Sequence, residues 1–553
     1  MSGIKPGFEV VVDALADAGV STVFGLMGDD TAAMISDLPR RQIRYVPARH
    51  ENLALAMADG YAWATDDISV VIISRGPGLT NAMTGLVSIA RRSAKVVVIV
   101  GDAPSRASGS HKTDPKSIDQ VALAEAADIR VTRVIEPEAV LDAVTQSIHA
   151  AKGGHPTLLI VPSDIQAATV GQHPAPTQLS PNLTAPEADE DALDQAAAAL
   201  TSASAPLILA GSGAHRSGAG DALRRLAEKS GALLGTTLLG KGLFEGDPFS
   251  LGIIGGFASE SALQLVEQSD VVLVVGASLS TFTTERGRLF SHAKRIHVDL
   301  NPEVIEGRAP DLGIVGDANA VVQALNTRLE PQTTTYRTSA NAETILNARA
   351  RTGKVSEGPG GLHPEDLVRR LDQLLPEDRV VVTDGGHNLG YPPMYLAVKD
   401  PDHFRHSYFF GAVGMGLGVA LGAATADKRG RVVLVVGDGG LSMVLGDLST
   451  AVEYHLPLTV IVLNDRAYGA ERHFLDLIGR PTELSSFAEV DFAAVATALG
   501  WQAHRVATSS QFDQTALVLS EPPSGPVLLD IRVDPDVRAS WINSGMVQGH
   551  DGD

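Results

Sequence analysis

Two apolar runs, each ended by an oxygen-bearing side chain, restrict what this chain can fold into more than any other feature. The first, Val432 to Val436, breaks into Gly437-Asp438-Gly439-Gly440; the second, Leu458 to Leu463, breaks at Asn464-Asp465. Between them, residues 441–455 carry Leu445, Leu448 and Val452 at helical spacing and stop before Pro457. Strand, helix and strand in that order predict a right-handed crossover, which leaves the strands parallel with their carboxyl ends on one edge. Asp438 and Asn464 then meet where open α/β sheets bind ligands. Hard oxygen ligands beside glycine amides suit Mg²⁺ holding a diphosphate. A lone Gly-Asp-Gly would be a turn; paired with an asparagine after a full crossover, it reads as a cofactor site.

The same alternation of short β-branched runs and helical patterns continues along all 553 residues, too many for one core. It predicts an α/β protein of three doubly wound parallel-sheet domains. The first domain spans 1–165, with strands near 69–74, 95–101 and 157–161. A central domain spans 190–330, with strands near 206–210, 271–276 and 295–300. The third spans 360–535, with strands near 379–383, 431–437, 458–464 and 526–533, and 536–553 form a C-terminal tail. Residues 163–189, rich in Pro, Ala and Thr, and the loose stretch 330–361 read as linkers.

A formal net charge of −21 argues against nucleic acid or an anionic membrane as partner. It leaves room for an anionic small molecule, because a site can be locally positive on an acidic protein. With no cysteine, disulfides, zinc-thiolate sites and thiol catalysis are excluded. The first residues lack a signal-peptide apolar core, and no apolar run reaches membrane-spanning length, so a cytoplasmic location is expected.

A second focus lies in the first domain. Arg49-His50-Glu51 leads into a helix over 52–61 whose Leu53, Ala54, Ala56, Met57 and Ala58 leave little polar face. A carboxylate heading such a helix is favoured by the helix dipole yet poorly solvated, which predicts at least partial burial of Glu51. Further on, Gly76-Pro77-Gly78-Leu79-Thr80-Asn81 forms a glycine turn that opens another helix.

Together these segments resemble the thiamine diphosphate enzymes of the acetolactate synthase, pyruvate decarboxylase and benzoylformate decarboxylase group. The resemblance runs from about residue 5 to 535, in the order pyrimidine-binding, central and diphosphate-binding domain. It is carried by Gly437-Asp438-Gly439 through Asn464, by Arg49-His50-Glu51 with Asp59-Gly60, by the 76–81 turn, and by Gly411-Ala412-Val413-Gly414-Met415-Gly416. It implies that Asp438, Asn464 and the carbonyl of Arg466 hold Mg²⁺ against the diphosphate. It implies that Gly439 and Gly440 let their amides approach phosphate oxygens, and that His387 and Asn388 touch the same group. A core or surface histidine is the other reading of His387. Val413 would be the wedge that bends the cofactor, with Gly411 and Val413 backbone groups on its aminopyrimidine; helix packing is the other reading of Val413. Glu51 would exchange a proton with that ring, a role of positioning rather than of basicity. The resemblance further implies that Glu51 and the diphosphate come from different subunits, hence a homodimer or homotetramer.

Three departures from the family separate general from specific assignment. Gly28-Asp29 stands where acetolactate synthases show a Pro-Gly-Gly turn and is similar to the Gly-Asp of pyruvate decarboxylases. Asp29 would then handle protons over the thiazolium, or else cap a helix over 31–38. His111-Lys112 is not the double histidine of pyruvate decarboxylases, and Lys116 stands near a family glutamine; Arg75, Lys112 and Lys116 are cations able to meet a carboxylate or to lie solvated on the surface. Residues 276–282 lack the arginines and aspartates of a flavin-holding segment, so no FAD is expected. The expected activity is a Mg²⁺- and thiamine diphosphate-dependent decarboxylase and carboligase. It would take a small 2-oxo acid such as pyruvate and pass the acyl fragment to an aldehyde, ketone or second 2-oxo acid. Cleavage of a 1,2-diketone or α-hydroxyketone, simple decarboxylation, and a non-catalytic cofactor-binding protein are the alternatives.

Overall fold

The computed structural model describes residues 5–105, 114–171, 186–332, 336–349, 353–426, 430–521 and 524–542. Lys112 lies outside them. Each domain is built on a six-stranded sheet, and every strand pair within those sheets is parallel. The first sheet runs Arg44–Pro47, Thr22–Leu26, Ser69–Ile73, Val96–Asp102, Thr157–Pro162, Arg130–Arg133 across its width. The third runs Phe404–His406, Val380–Thr383, Val432–Gly437, Leu458–Asn464, Val527–Arg532, Gln502–Val506. Numbered along the chain, both share the order 2-1-3-4-6-5, so the first and third domains are two versions of one topology. The central sheet is ordered 3-2-1-4-5-6, with Pro206–Ala210 and Val271–Val275 flanking its switch point. Every strand expected from the sequence is present to within a residue or two.

Some expectations about connections fail. The helix expected over 441–455 is broken into Asp438–Ser442, a 3₁₀ turn Leu445–Asp447, and Leu448–Glu453. Residues 163–171 are not free linker: Ser163–Ala167 is helical, and Thr169–Val170 pairs antiparallel with Lys5–Pro6. The second loose stretch contains a helix, Ser339–Ala348, capped by the Thr338 side chain.

The first and third domains share one apolar core that runs from Phe24 to Leu528. At its centre the helix Glu51–Thr65 packs against Gly416–Ala426 at backbone contact distance. A methyl group on Gly60 would stand 2.0 Å from the Val419 carbonyl oxygen, and one on Gly422 1.9 Å from that of Met57. The polar contacts across this interface include the Arg49 amide donating to Asp447 at 2.9 Å and the Tyr454 hydroxyl donating to the Tyr45 carbonyl at 2.9 Å. Arg405 and Arg92 both pair with the buried Asp59, at 2.8 and 3.0 Å. A third-domain strand is thereby tied to the helix that Glu51 heads.

Candidate active site

Register pairs Gly437 with Leu463, so the next residues, Asp438 and Asn464, stand on neighbouring strand tips. Both are buried, 1% and 2% exposed. One Asp438 oxygen, Oδ2, accepts the Arg466 amide at 2.8 Å. The Asn464 amide group donates to Asp530 at 2.8 Å and to the Val490 carbonyl at 3.3 Å, which fixes its orientation. What remains is Oδ1 of each, buried and without a hydrogen-bond partner. Buried oxygens are rarely left so, and two on adjacent tips are suited to a hard cation. Burial, and then the neighbouring Asp465 carboxylate, push the Asp438 carboxyl well above the usual carboxylate range. A divalent cation there would offset that uncompensated charge. The Arg466 carbonyl accepts the Phe487 amide at 3.0 Å, leaving its second lone pair for a metal. Among the described residues no cluster of three or more His, Asp or Glu side chains could hold a metal; the expected donors are one carboxylate, one amide and one carbonyl.

Gly439 and Gly440 open the short helix after the first tip. A side chain on Gly440 would meet Asp384 Oδ2 at 2.6 Å and Val413 at 3.2 Å, so close approach requires glycine here. Val413 belongs to a loop, not to the helix that starts at Gly416, and it also lies 3.1 Å from where a Gly385 methyl would be. Its side chain lies between the Gly385 and Gly440 backbones, outside any helix. Gly411 and Gly414 on either side have φ of 77° and 89°, a left-handed backbone that favours glycine. Asn388 stands beside Gly437, donating to the Leu463 carbonyl at 3.2 Å with Oδ1 unpartnered. His387 is buried: its Nε2 accepts the Ala539 amide at 2.9 Å, its Nδ1 lies 3.8 Å from the carboxylate of Asp465, the residue after Asn464, and its ring lies 4.4 Å from that of His473. The structure thus ties His387 to the C-terminal segment.

Glu51 is the first residue of its helix and is buried. Its Oε2 accepts Asn81 Nδ2 at 3.0 Å, and the Gly78 turn lies against Oε1, where a methyl group would stand at 3.4 Å. One residue on, Asn52 donates to the Met415 sulfur. The Glu51 and Val413 segments therefore share one side of the domain interface within a single chain, whereas the expectation was that different subunits supply Glu51 and the diphosphate site.

Asp29 is placed differently from Glu51. Its side chain is 77% exposed and paired with Lys116, whose ammonium holds its carboxyl below the usual range. The helix it was expected to cap starts at Ala32 and receives no side-chain cap. The neighbouring Asp30 is the structural acid, accepting Ser74 Oγ at 2.6 Å and the Arg75 amide at 2.9 Å. Arg75 is engaged with Asp114 at 2.6 Å. Sequence reasoning assigned no role to Asp384, Asp447 or Asp530, three buried acids around the site. Asp384 and Asp530 lie at or near the ends of apolar strands, the same signal that exposed Asp438.

At the central domain's switch point, Gly211 and Gly213 pack directly on the backbone of Gly276 and Ala277. Phe282 lies over Gly256 and packs on Phe257.

Fold and site together define an enzyme built to hold a thiamine cofactor between two related α/β domains. Three family models match in order: thiamine pyrophosphate enzyme, N-terminal TPP binding domain, at residues 5–123; the central domain at 193–325; and the C-terminal TPP binding domain at 384–531. The chain belongs to the thiamine pyrophosphate enzymes. It is 29% identical to the acetolactate synthase isozyme 2 large subunit of Escherichia coli, over 98% of this chain and 99% of that one. It is 28% identical to a probable acetolactate synthase large subunit of Methanocaldococcus jannaschii, over 98% and 94%. Its identity to acetolactate synthase 1, chloroplastic, of Oryza sativa is 29%, over 96% and 85%. Among the described residues no helix is long and apolar enough to cross a membrane.

Proposed function

We propose that the protein decarboxylates a small 2-oxo acid and joins the acyl fragment to an aldehyde, a ketone or a second 2-oxo acid, as an acetolactate synthase-like carboligase. The observation that carries this reading is the pair of buried, unpartnered Oδ1 atoms of Asp438 and Asn464 on adjacent strand tips. These two oxygens, with the Arg466 carbonyl, would hold Mg²⁺, while the Gly439 and Gly440 amides and Asn388 face the diphosphate. Bound there, thiamine diphosphate supplies the carbon nucleophile and electron sink for breaking and making bonds beside a carbonyl. Val413 and Gly411 seat its ring. Glu51 has Oε2 occupied by Asn81, so Oε1 is the atom at which it holds or releases a proton.

A second copy of the chain is proposed to cover the cleft. Supporting this, Tyr408, Phe410, Met443 and Tyr468 surround the Val413 loop and the Gly439 turn and are 39%, 40%, 55% and 47% exposed. No flavin is part of the proposal, and the purified protein is expected to be colourless. The test is incubation with thiamine diphosphate, Mg²⁺ and a panel of 2-oxo acids, diketones and aldehydes, with products read by NMR. Ligated hydroxyketone or hydroxyacid from a 2-oxo acid supports the reading; turnover of diketones alone overturns it.

A further inference from the structure

We propose that Asp384 is a positioning residue whose carboxylate closes residues 407–416 into the loop that presents Val413. The proposal rests on the cofactor reading of that loop. Asp384 follows the Val380–Thr383 strand, which lies beside Val432–Gly437 where the strand order of the third sheet reverses. It is 2% exposed. Its Oδ1 accepts Ser407 Oγ at 3.1 Å and the Gly416 amide at 3.3 Å, while Oδ2 accepts the Gly414 amide at 2.8 Å. One carboxylate thus grips both ends of a segment that has neither helix nor strand before Gly416.

All these partners donate, so an acceptor-only carboxylate is the complementary form. Burial pushes its carboxyl up, and the bonds from Gly385, Gly414, Ser407 and Gly416 oppose that shift. Other ties to this segment come from the first domain: Asn52 donates to the Met415 sulfur, and the Arg91 and Arg92 guanidinium groups lie over the Phe410 and Phe409 rings. The carboxylate also lies close to Gly440, but the hydrogen bonds above tie it to the wedge loop. Asparagine at 384 would turn an NH₂ toward N–H or O–H donors, breaking at least one tie while keeping the volume.

The test uses the full chain with Asp384→Asn, Asp384→Glu and Ser407→Ala. Two readouts are taken: amide hydrogen exchange of residues 407–416 without cofactor, and calorimetric affinity for thiamine diphosphate with Mg²⁺, against inorganic pyrophosphate with Mg²⁺. For Asp384→Asn, loop exchange is expected to quicken about tenfold and thiamine diphosphate to bind about tenfold more weakly, the equivalent of one lost buried hydrogen bond, with pyrophosphate binding unchanged. Ser407→Ala should move both in the same direction by less, and Asp384→Glu should restore part of the loss. Unchanged exchange and affinity overturn the proposal, as does an equal loss of pyrophosphate binding. Should Asp384→Asn not fold, Ser407→Ala decides on the same two readouts. A wild-type protein that binds no thiamine diphosphate refutes the cofactor reading instead, and the exchange measurement still judges the clamp.

Discussion

Asn52 donates its side-chain amide to the Met415 sulfur at 3.0 Å, joining the residue after Glu51 to the loop that carries Val413. Helix start and wedge loop are thereby held in register across the domain interface. Glu51→Gln keeps the volume and the Asn81 contact but removes the proton exchange. Cofactor affinity should change little while turnover falls by roughly 10²–10⁴-fold, the usual weight of a positioned acid–base group. Near-normal turnover would remove Glu51 from the chemistry.

Asp438→Ala should abolish Mg²⁺-dependent retention of thiamine diphosphate. Because burial and Asp465 disfavour the charge at 438, its removal should leave the thermal midpoint of the cofactor-free protein unchanged or higher. Cofactor that survives dialysis against chelator in the variant would contradict the metal assignment.

Much of this site is readable without coordinates, for physical reasons specific to each residue. Asp438 and Asn464 stand out because each follows a near-continuous apolar run, the pattern of a strand buried on both faces, and marks where that run ends. Glu51 stands out because the apolar residues that follow it leave its helix little polar face. The break in the 441–455 helix is hidden, since Leu448 and Ala451 pack on the core at helical spacing while Met443 turns outward at 55% exposure. Asp447 escapes notice for a different cause: the Arg49 amide that it accepts lies hundreds of residues away, and local pattern carries no trace of it.

Asp29→Ala tests a residue that the structure places on the surface against Lys116. An exposed ion pair that caps no helix contributes little, so the thermal midpoint should not move. Any change in the ratio of aldehyde to ligated product would then report on chemistry. An unchanged ratio leaves Asp29 a solvated surface acid.

Asp447 predicts a pH dependence. Burial pushes its carboxyl from 3.8 to about 6. The folded state therefore favours the neutral form. The resulting stability is fully present below the unfolded pKa and is lost as pH rises through about 6. A difference of this size corresponds to on the order of 2–3 kcal/mol. Asp447→Asn keeps an acceptor for the Arg49 amide without the charge. Its advantage over wild type in urea midpoint should grow from pH 5 to about 7 and then level. A constant difference across that range would show that Asp447 is not desolvated.

Gly422→Ala sets helix propensity against packing. In an exposed helix the change would stabilise by about 1 kcal/mol. Here the added methyl would stand 1.9 Å from the Met57 carbonyl oxygen, a contact that only separation of the two helices relieves. Overpacking of this kind costs about 1–3 kcal/mol, so packing should win and the thermal midpoint should fall by several degrees. Separation would also draw the Glu51 helix away from the Val413 loop while leaving the Asp438 and Asn464 tips in place. Turnover should therefore drop more than binding of Mg²⁺-pyrophosphate. A higher midpoint with full turnover would mean that these helices part freely, and that their contact does not hold Glu51 in position.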